Sequence, residues 1–139
     1  MAYEIPLVRR QEVADRTMAF CFEKPDGFKF TAGQFMRFSL IDPPETDAEG
    51  NARTFSIASA PHEDELMIAT RLRNTAFKRV LKAMASGTRV VAKGPYGSLT
   101  LHEDASRPAV FLTGGIGITP FRSILMEAVQ DQLSPEFFL

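Results

Sequence analysis

The stretch Leu112-Thr113-Gly114-Gly115-Ile116-Gly117-Ile118-Thr119-Pro120 constrains this chain more than any other segment. It follows the apolar run Ala109-Val110-Phe111-Leu112 and opens an amphipathic helical pattern, the setting a dinucleotide phosphate loop requires. Gly114, Gly115 and Gly117 remove side chains where backbone would approach a pyrophosphate. The helix start beyond them offers unpaired N–H groups and a positive dipole end to an anion. Pro120 stands where Gly-x-Gly-x-x-Gly has its third glycine, and its missing N–H costs nothing in a first helical turn.

In the helix, Phe121, Ile124, Leu125, Ala128 and Val129 recur at the spacing of one buried face. The continuous run 109–112 predicts a strand covered on both faces, as in a parallel sheet. Together they read as the first βα unit of an α/β nucleotide domain. Only 24 residues follow Gly115, whereas a βαβ unit takes roughly 30. Pro135-Glu136-Phe137-Phe138-Leu139 starts a second strand, so the expectation is an unfinished domain: a fragment, or one completed by another chain.

Upstream, residues 4–12, 17–23, 35–41, 53–58, 65–71 and 88–94 read as short strands separated by turns such as Pro25-Asp26-Gly27. Six such strands predict a mainly β fold, a closed antiparallel barrel over residues 1–104, with residues 105–139 starting the nucleotide domain. One short helix interrupts the strands: Phe77, Val80, Leu81 and Met84 form its apolar face, Lys78, Arg79 and Lys82 its wet face, and Gly87 its stop. The acidic stretch Asp42 to Asn51 reads as a long hairpin loop whose charge serves solvation.

A net charge of −1 with 24% charged residues gives no electrostatic case for nucleic acid or a membrane surface. No run approaches the roughly 18 apolar residues of a membrane span, and the start lacks signal-peptide regions, so a cytoplasmic location without membrane insertion is expected. The single cysteine, Cys21, lies in an apolar run and reads as a core thiol. His62 and His102 sit in polar turns and are expected to face solvent, with no metal site.

Two constellations in the barrel carry chemistry. In Arg53-Thr54-Phe55-Ser56, strand alternation sends Arg53 and Phe55 to one face and Thr54 and Ser56 to the other. A planar fork for phosphate, a stacking surface and a small hydroxyl together describe a flavin nucleotide. A salt bridge and a core aromatic are the alternative reading of the same residues. In Ala69-Thr70-Arg71-Leu72-Arg73-Asn74-Thr75-Ala76-Phe77, a strand runs into Asn74 or Thr75 as helix N-cap, with Arg71 and Arg73 alongside. This end either shares a diphosphate with Arg53 or is routine helix capping.

The succession Arg-x-Phe-Ser at 53–56, Thr-Arg-x-x-x-Thr-x-Phe-Lys at 70–78, Gly-Pro-Tyr-Gly at 94–97 and Gly-Gly-Ile-Gly-Ile-Thr-Pro at 114–120 resembles the ferredoxin–NADP⁺ reductase superfamily. The resemblance implies a six-stranded barrel holding FAD or FMN, followed by an α/β domain for NAD(P)H. It implies that Arg53 meets the flavin phosphate, Phe55 packs on the isoalloxazine ring and Ser56 bonds near N5, with Thr54 in the same set. Ile68, Ala69, Thr70 and Arg71 would line the cofactor, and Asn74, Thr75 and Ala76 would cradle the pyrophosphate. Thr113 and Gly114 would border the nicotinamide, and Gly115, Ile116, Gly117 and Thr119 would complete the nucleotide loop. Ser56 and Thr113 are thus the expected catalytic positions. Thr75 replaces the usual serine and Phe55 the usual tyrosine.

FAD is favoured over FMN, because Arg53 and the helix start can hold a diphosphate. The implied activity is a flavin-dependent oxidoreductase passing electrons between NAD(P)H and a one-electron acceptor such as ferredoxin, flavodoxin or a small molecule. The alternative is a non-catalytic flavin-binding or interaction module. Phe137, Phe138 and Leu139 add an expectation of self-association through an open sheet edge.

Overall fold

The computed structural model describes residues 1–133 and 135–139. Alternating apolar residues build six antiparallel strands: β1 (Ala2–Ala14), β2 (Thr17–Glu23), β3 (Phe35–Leu40), β4 (Ala52–Ser56), β5 (Glu65–Arg71) and β6 (Arg89–Tyr96). They form one sheet in the order β4-β3-β6-β1-β2-β5, and every strand expected from the sequence overlaps one of them. The sheet curls into a barrel that is not closed by a ladder, because its edge strands β4 and β5 are joined only beyond the end of β4. There the Ala58 N–H donates to the Met67 carbonyl at 2.7 Å, and the Met67 N–H donates to Ser59 Oγ at 3.0 Å. The expected closed barrel is therefore corrected to one with a seam between β4 and β5.

β1 is the corner strand. Residues Ala2–Pro6 pair with β6 and Leu7–Ala14 with β2. The pairing steps from Leu7↔Phe22 to Arg9↔Cys21 and from Glu12↔Met18 to Ala14↔Thr17, leaving Val8 and Val13 as surplus bulge residues. Both are exposed apolar side chains.

Inside, Phe20, Phe22, Met36, Ile57, Leu66, Ile68 and Val90 are sealed from solvent. Aromatic rings run through this core from β2 to helix α1 (Ala76–Ala83): Phe22 to Phe38 at 5.3 Å, Phe38 to Phe55 at 5.9 Å and Phe55 to Phe77 at 6.0 Å between centroids. Phe77, Leu81 and Met84 of the expected apolar face are buried and Val80 packs beside them. Thr75, not Asn74, is the N-cap, its Oγ1 accepting from the Lys78 N–H. Cys21 is buried as expected, and burial pushes its thiol up to about 11.

The remaining chain forms β7 (Ala109–Val110), a 3-10 turn over Gly115–Ile118, α2 (Thr119–Gln130) and β8 (Phe137–Phe138). β7 and β8 pair in parallel, as the sequence predicts, and Pro120 lies in the first turn of α2. The expectation of a strand covered on both faces is corrected: Ala109 and Phe111 are buried, whereas Val110 is 61% and Leu112 88% exposed. α2 covers only one face, through Phe111 stacked on Phe121 at 4.5 Å and through Ile124. Val129, expected on the buried face, is exposed. The buried side of α2 is turned instead towards Ser123, which donates to the Ser59 carbonyl of the barrel at 2.7 Å.

Arg122 adds to this attachment, donating to the Ala58 carbonyl at 2.7 Å and pairing with Glu63 at 2.8 Å. His62 is exposed, as expected, and its Nδ1 also lies 2.6 Å from Glu127 Oε2 of α2. His102 departs from expectation, since both its ring nitrogens are shielded from solvent. Gly33, at φ +100°, leaves no room for a side chain: a Cβ there would sit 1.8 Å from the Leu99 carbonyl oxygen and 3.1 Å from Ile124 Cδ1 of α2.

Candidate functional site

The seam between β4 and β5 opens into a cleft of about 1210 Å³. Arg53, Ala69, Thr70, Arg71 and Thr75 line its barrel side, and Gly114, Gly115, Ile116 and Thr119 line the other. The Arg53 motif and the glycine loop, far apart in the chain, thus face one space. Arg73, already noted beside the helix start, also lines it.

Arg53 is fixed by its own loop. Its Nη1 donates to the carbonyls of Glu49, Gly50 and Ala52 at 2.9, 3.1 and 2.8 Å, and Nη2 pairs with Glu49 Oε2 at 2.8 Å. The guanidinium lies 5.1 Å from the Phe77 ring centroid, a cation–π contact. At the start of α1, the Ala76 N–H donates to Asp47 Oδ2 at 2.7 Å. That bond, the largest influence, holds the Asp47 carboxyl below its ordinary range. Arg79 pairs with Glu45 at 2.7 Å and donates to Asn74 Oδ1 at 2.7 Å. The acidic loop is therefore not solvation alone, because Glu49 and Glu45 pair with arginines and Asp47 accepts from a helix-start amide.

These contacts test whether the residues suit an anionic cofactor. Both places expected to hold phosphate, Arg53 and the α1 start, each bind an anionic oxygen of the chain itself. The donor set is that of a diphosphate seat, so the residues fit the group.

Lys78 is the cation the sequence misassigned. Helical spacing puts it on the wet face, yet it is half-buried, donating to Thr70 Oγ1 and to the Arg71 carbonyl at 3.3 Å. Its Nζ lies 5.2 Å from the Phe55 ring centroid. Among the described residues no carboxylate pairs with it. Burial first, then the charges of Arg53 and Arg73, bring its ammonium down to about 8. Its place in the Thr-x-Phe-Lys motif was the only signal in the sequence.

The other expected residues divide. Thr54 is exposed on β4, and Ser56 is half-buried at its end. Phe55 is 8% exposed, within the core and beneath Lys78. Ile68 and Ala76 are fully buried, so only their backbone can serve a ligand. Asn74 lies in a smaller neighbouring cleft with Arg79. In the glycine loop, a Cβ on Gly114 or Gly115 would meet nothing within 4 Å, whereas one on Gly117 would strike Thr113 Oγ1 at 2.6 Å. Gly114 and Gly115 therefore keep the loop's surface bare, and Gly117 lets it fold against Thr113.

A family model described as an FAD-binding domain matches residues 2–114. Dual oxidase 2 of Homo sapiens is 29% identical over 134 residues, 91% of this chain and 8% of that protein. Terephthalate 1,2-dioxygenase, reductase component 1, of Comamonas sp is 29% identical over 114 residues, 80% of this chain and 32% of that protein. Among solved structures, a ferredoxin NADP+ reductase from Neisseria gonorrhoeae with bound FAD and NADP superposes with a TM-score of 0.79 at 22% identity. It covers 98% of this chain and 55% of that one. The chain thus spans well under two thirds of the length of these relatives, and the superposition establishes its fold as that of a ferredoxin reductase-like FAD-binding domain.

Proposed function

The chain belongs to the FAD-binding domain family, and on that premise we propose that it is the flavin-holding portion of an NAD(P)H-dependent reductase. The observation that carries this reading is the shared cleft, in which two anion seats of the barrel face a glycine-rich loop at a helix start. When bound, the flavin supplies two-electron exchange with reduced nicotinamide and one-electron exchange with an acceptor. The chain's own residues bind and orient. Arg53, the Ala76 N–H and Lys78 neutralise the diphosphate, which favours FAD over FMN. Thr70 and Arg71 hold Lys78 in place from β5.

In the same reading Ser56 orients the flavin edge near N5. Phe55 supports the ring site from the core, and ring contact requires Lys78 to move off its face. Thr113, Gly114, Gly115, Ile116, Gly117 and Thr119 take the nicotinamide nucleotide, with residues 1–104 as the flavin part and 105–139 as the start of the nucleotide part. The acceptor is a redox protein of the ferredoxin or flavodoxin class or a small molecule. The location in this reading is cytoplasmic, and no helix among the described residues is long and apolar enough to cross a membrane.

Micromolar affinity corresponds to about 8 kcal/mol, and each charge-assisted bond to phosphate contributes roughly 1.5–3 kcal/mol. The expected result is that added FAD forms a yellow complex with altered flavin fluorescence, while riboflavin, lacking phosphates, binds far more weakly. Free FAD fluorescence unchanged by excess chain would overturn the reading. Anaerobic bleaching of the bound flavin by NAD(P)H then separates a reductase from a flavin-binding module that does not turn over.

A further inference from the structure

We propose that the acidic loop Asp42–Asn51 is an internal competitor for the cofactor's diphosphate, a strap that occupies the anion seats and is released when FAD binds. This rests on the flavin reading above and adds regulation of the same site. One loop places Glu49 on Arg53, Asp47 on the Ala76 N–H and Glu45 on Arg79. The first two are the groups that the diphosphate needs. A carboxylate and a phosphate cannot share one seat, since like charges in contact repel.

The loop is built to hold this position without being locked in it. The Glu49 N–H donates to Asp47 Oδ1 at 3.0 Å and the Gly50 N–H to the Asp47 carbonyl at 2.9 Å, a turn that presents Asp47 and Glu49 side by side. Its base is fixed by Asn51 Nδ2 donating to the Leu40 carbonyl at 3.0 Å. Between these points Glu45 to Glu49 are exposed and contribute no buried apolar anchor. Arg53 also holds the Glu49 and Gly50 carbonyls, but the carboxylate contacts leave Glu45, Asp47 and Glu49 exposed, where each is individually weak and screened by salt. Lys78, on the same cleft as Glu49 and paired with no carboxylate among the described residues, draws in an anion of higher charge, against which the single carboxylates are outcompeted.

The test uses FAD binding, followed by flavin fluorescence, in the chain and in its Asp47→Asn/Glu49→Gln variant. Neutral side chains keep the shape and remove the competing charge, so Kd should fall by roughly threefold to tenfold. In the unmodified chain, a Glu-specific protease should cut after Glu45 or Glu49 several-fold faster once FAD is present. A variant Kd that is unchanged or higher, or a loop better protected with FAD than without, overturns the strap while leaving the flavin reading intact. Failure of both proteins to bind FAD overturns both.

Discussion

Lys78 shows how a single side chain links the barrel to pH. Its ammonium sits among Thr70 Oγ1, the Arg71 carbonyl and the charges of Arg53 and Arg73, and loses its proton at about 8. A bound diphosphate would raise that value, because the charged form gains a counter-ion. Binding and protonation are then linked. FAD affinity should be constant below about pH 8 and fall above it, by at most tenfold per pH unit. In Lys78→Met that slope should vanish, and riboflavin should show none; a wild-type slope matched by the variant would remove Lys78 from the site. Local periodicity does not reveal this residue, and only its place in the Thr-x-Phe-Lys motif hints at it. A helical wheel places it about 100° round from Phe77, and the partner that turns it inward, Thr70, belongs to a different element. Arg53 is the opposite case, since its loop partners Glu49 and Gly50 lie within four residues and its place in Arg-x-Phe-Ser was visible from the start.

At the scale of elements, strands and helices were legible because they obey local periodicity, and α1 kept its apolar face as written. α2 obeyed two masters. Its apolar residues meet Phe111, but Arg122 and Ser123 are fixed to the barrel turn by Ala58, Ser59 and Glu63, which rotates Val129 into solvent. Long-range polar contacts of this kind leave no periodic trace. Arg122→Met should loosen α2 from the barrel and cost about 1–2 kcal/mol in urea denaturation, less than a buried pair because both partners are partly exposed. Glu63, held below its ordinary range chiefly by Arg122, binds fewer protons folded than unfolded. Its contribution is therefore full above the usual carboxylate range and is lost as pH falls through the folded value. The difference between wild type and Arg122→Met should shrink on acidification, and a difference that persists in acid would contradict the pairing.

At the scale of the whole molecule, the seam between β4 and β5 and the glycine loop make one cleft from distant segments, a convergence that depends on the barrel's curvature rather than on any one motif. The two-stranded β7–β8 sheet leaves Val110, Leu112, Phe138 and Leu139 exposed. Self-association through this patch is the expected outcome. Sedimentation should show a weight-average mass rising with concentration, reversed by Phe138→Lys; a concentration-independent monomer would rule it out. The corner strand β1 carries a separate implication. Val8 and Val13 each advance the pleat by half a repeat, and together they return the strand to its original phase against β2. Length changes in this strand are consequently quantised: losing one of the two valines swaps the sheet face of each residue, all of them exposed, between that point and the next turn, whereas losing both preserves the alignment.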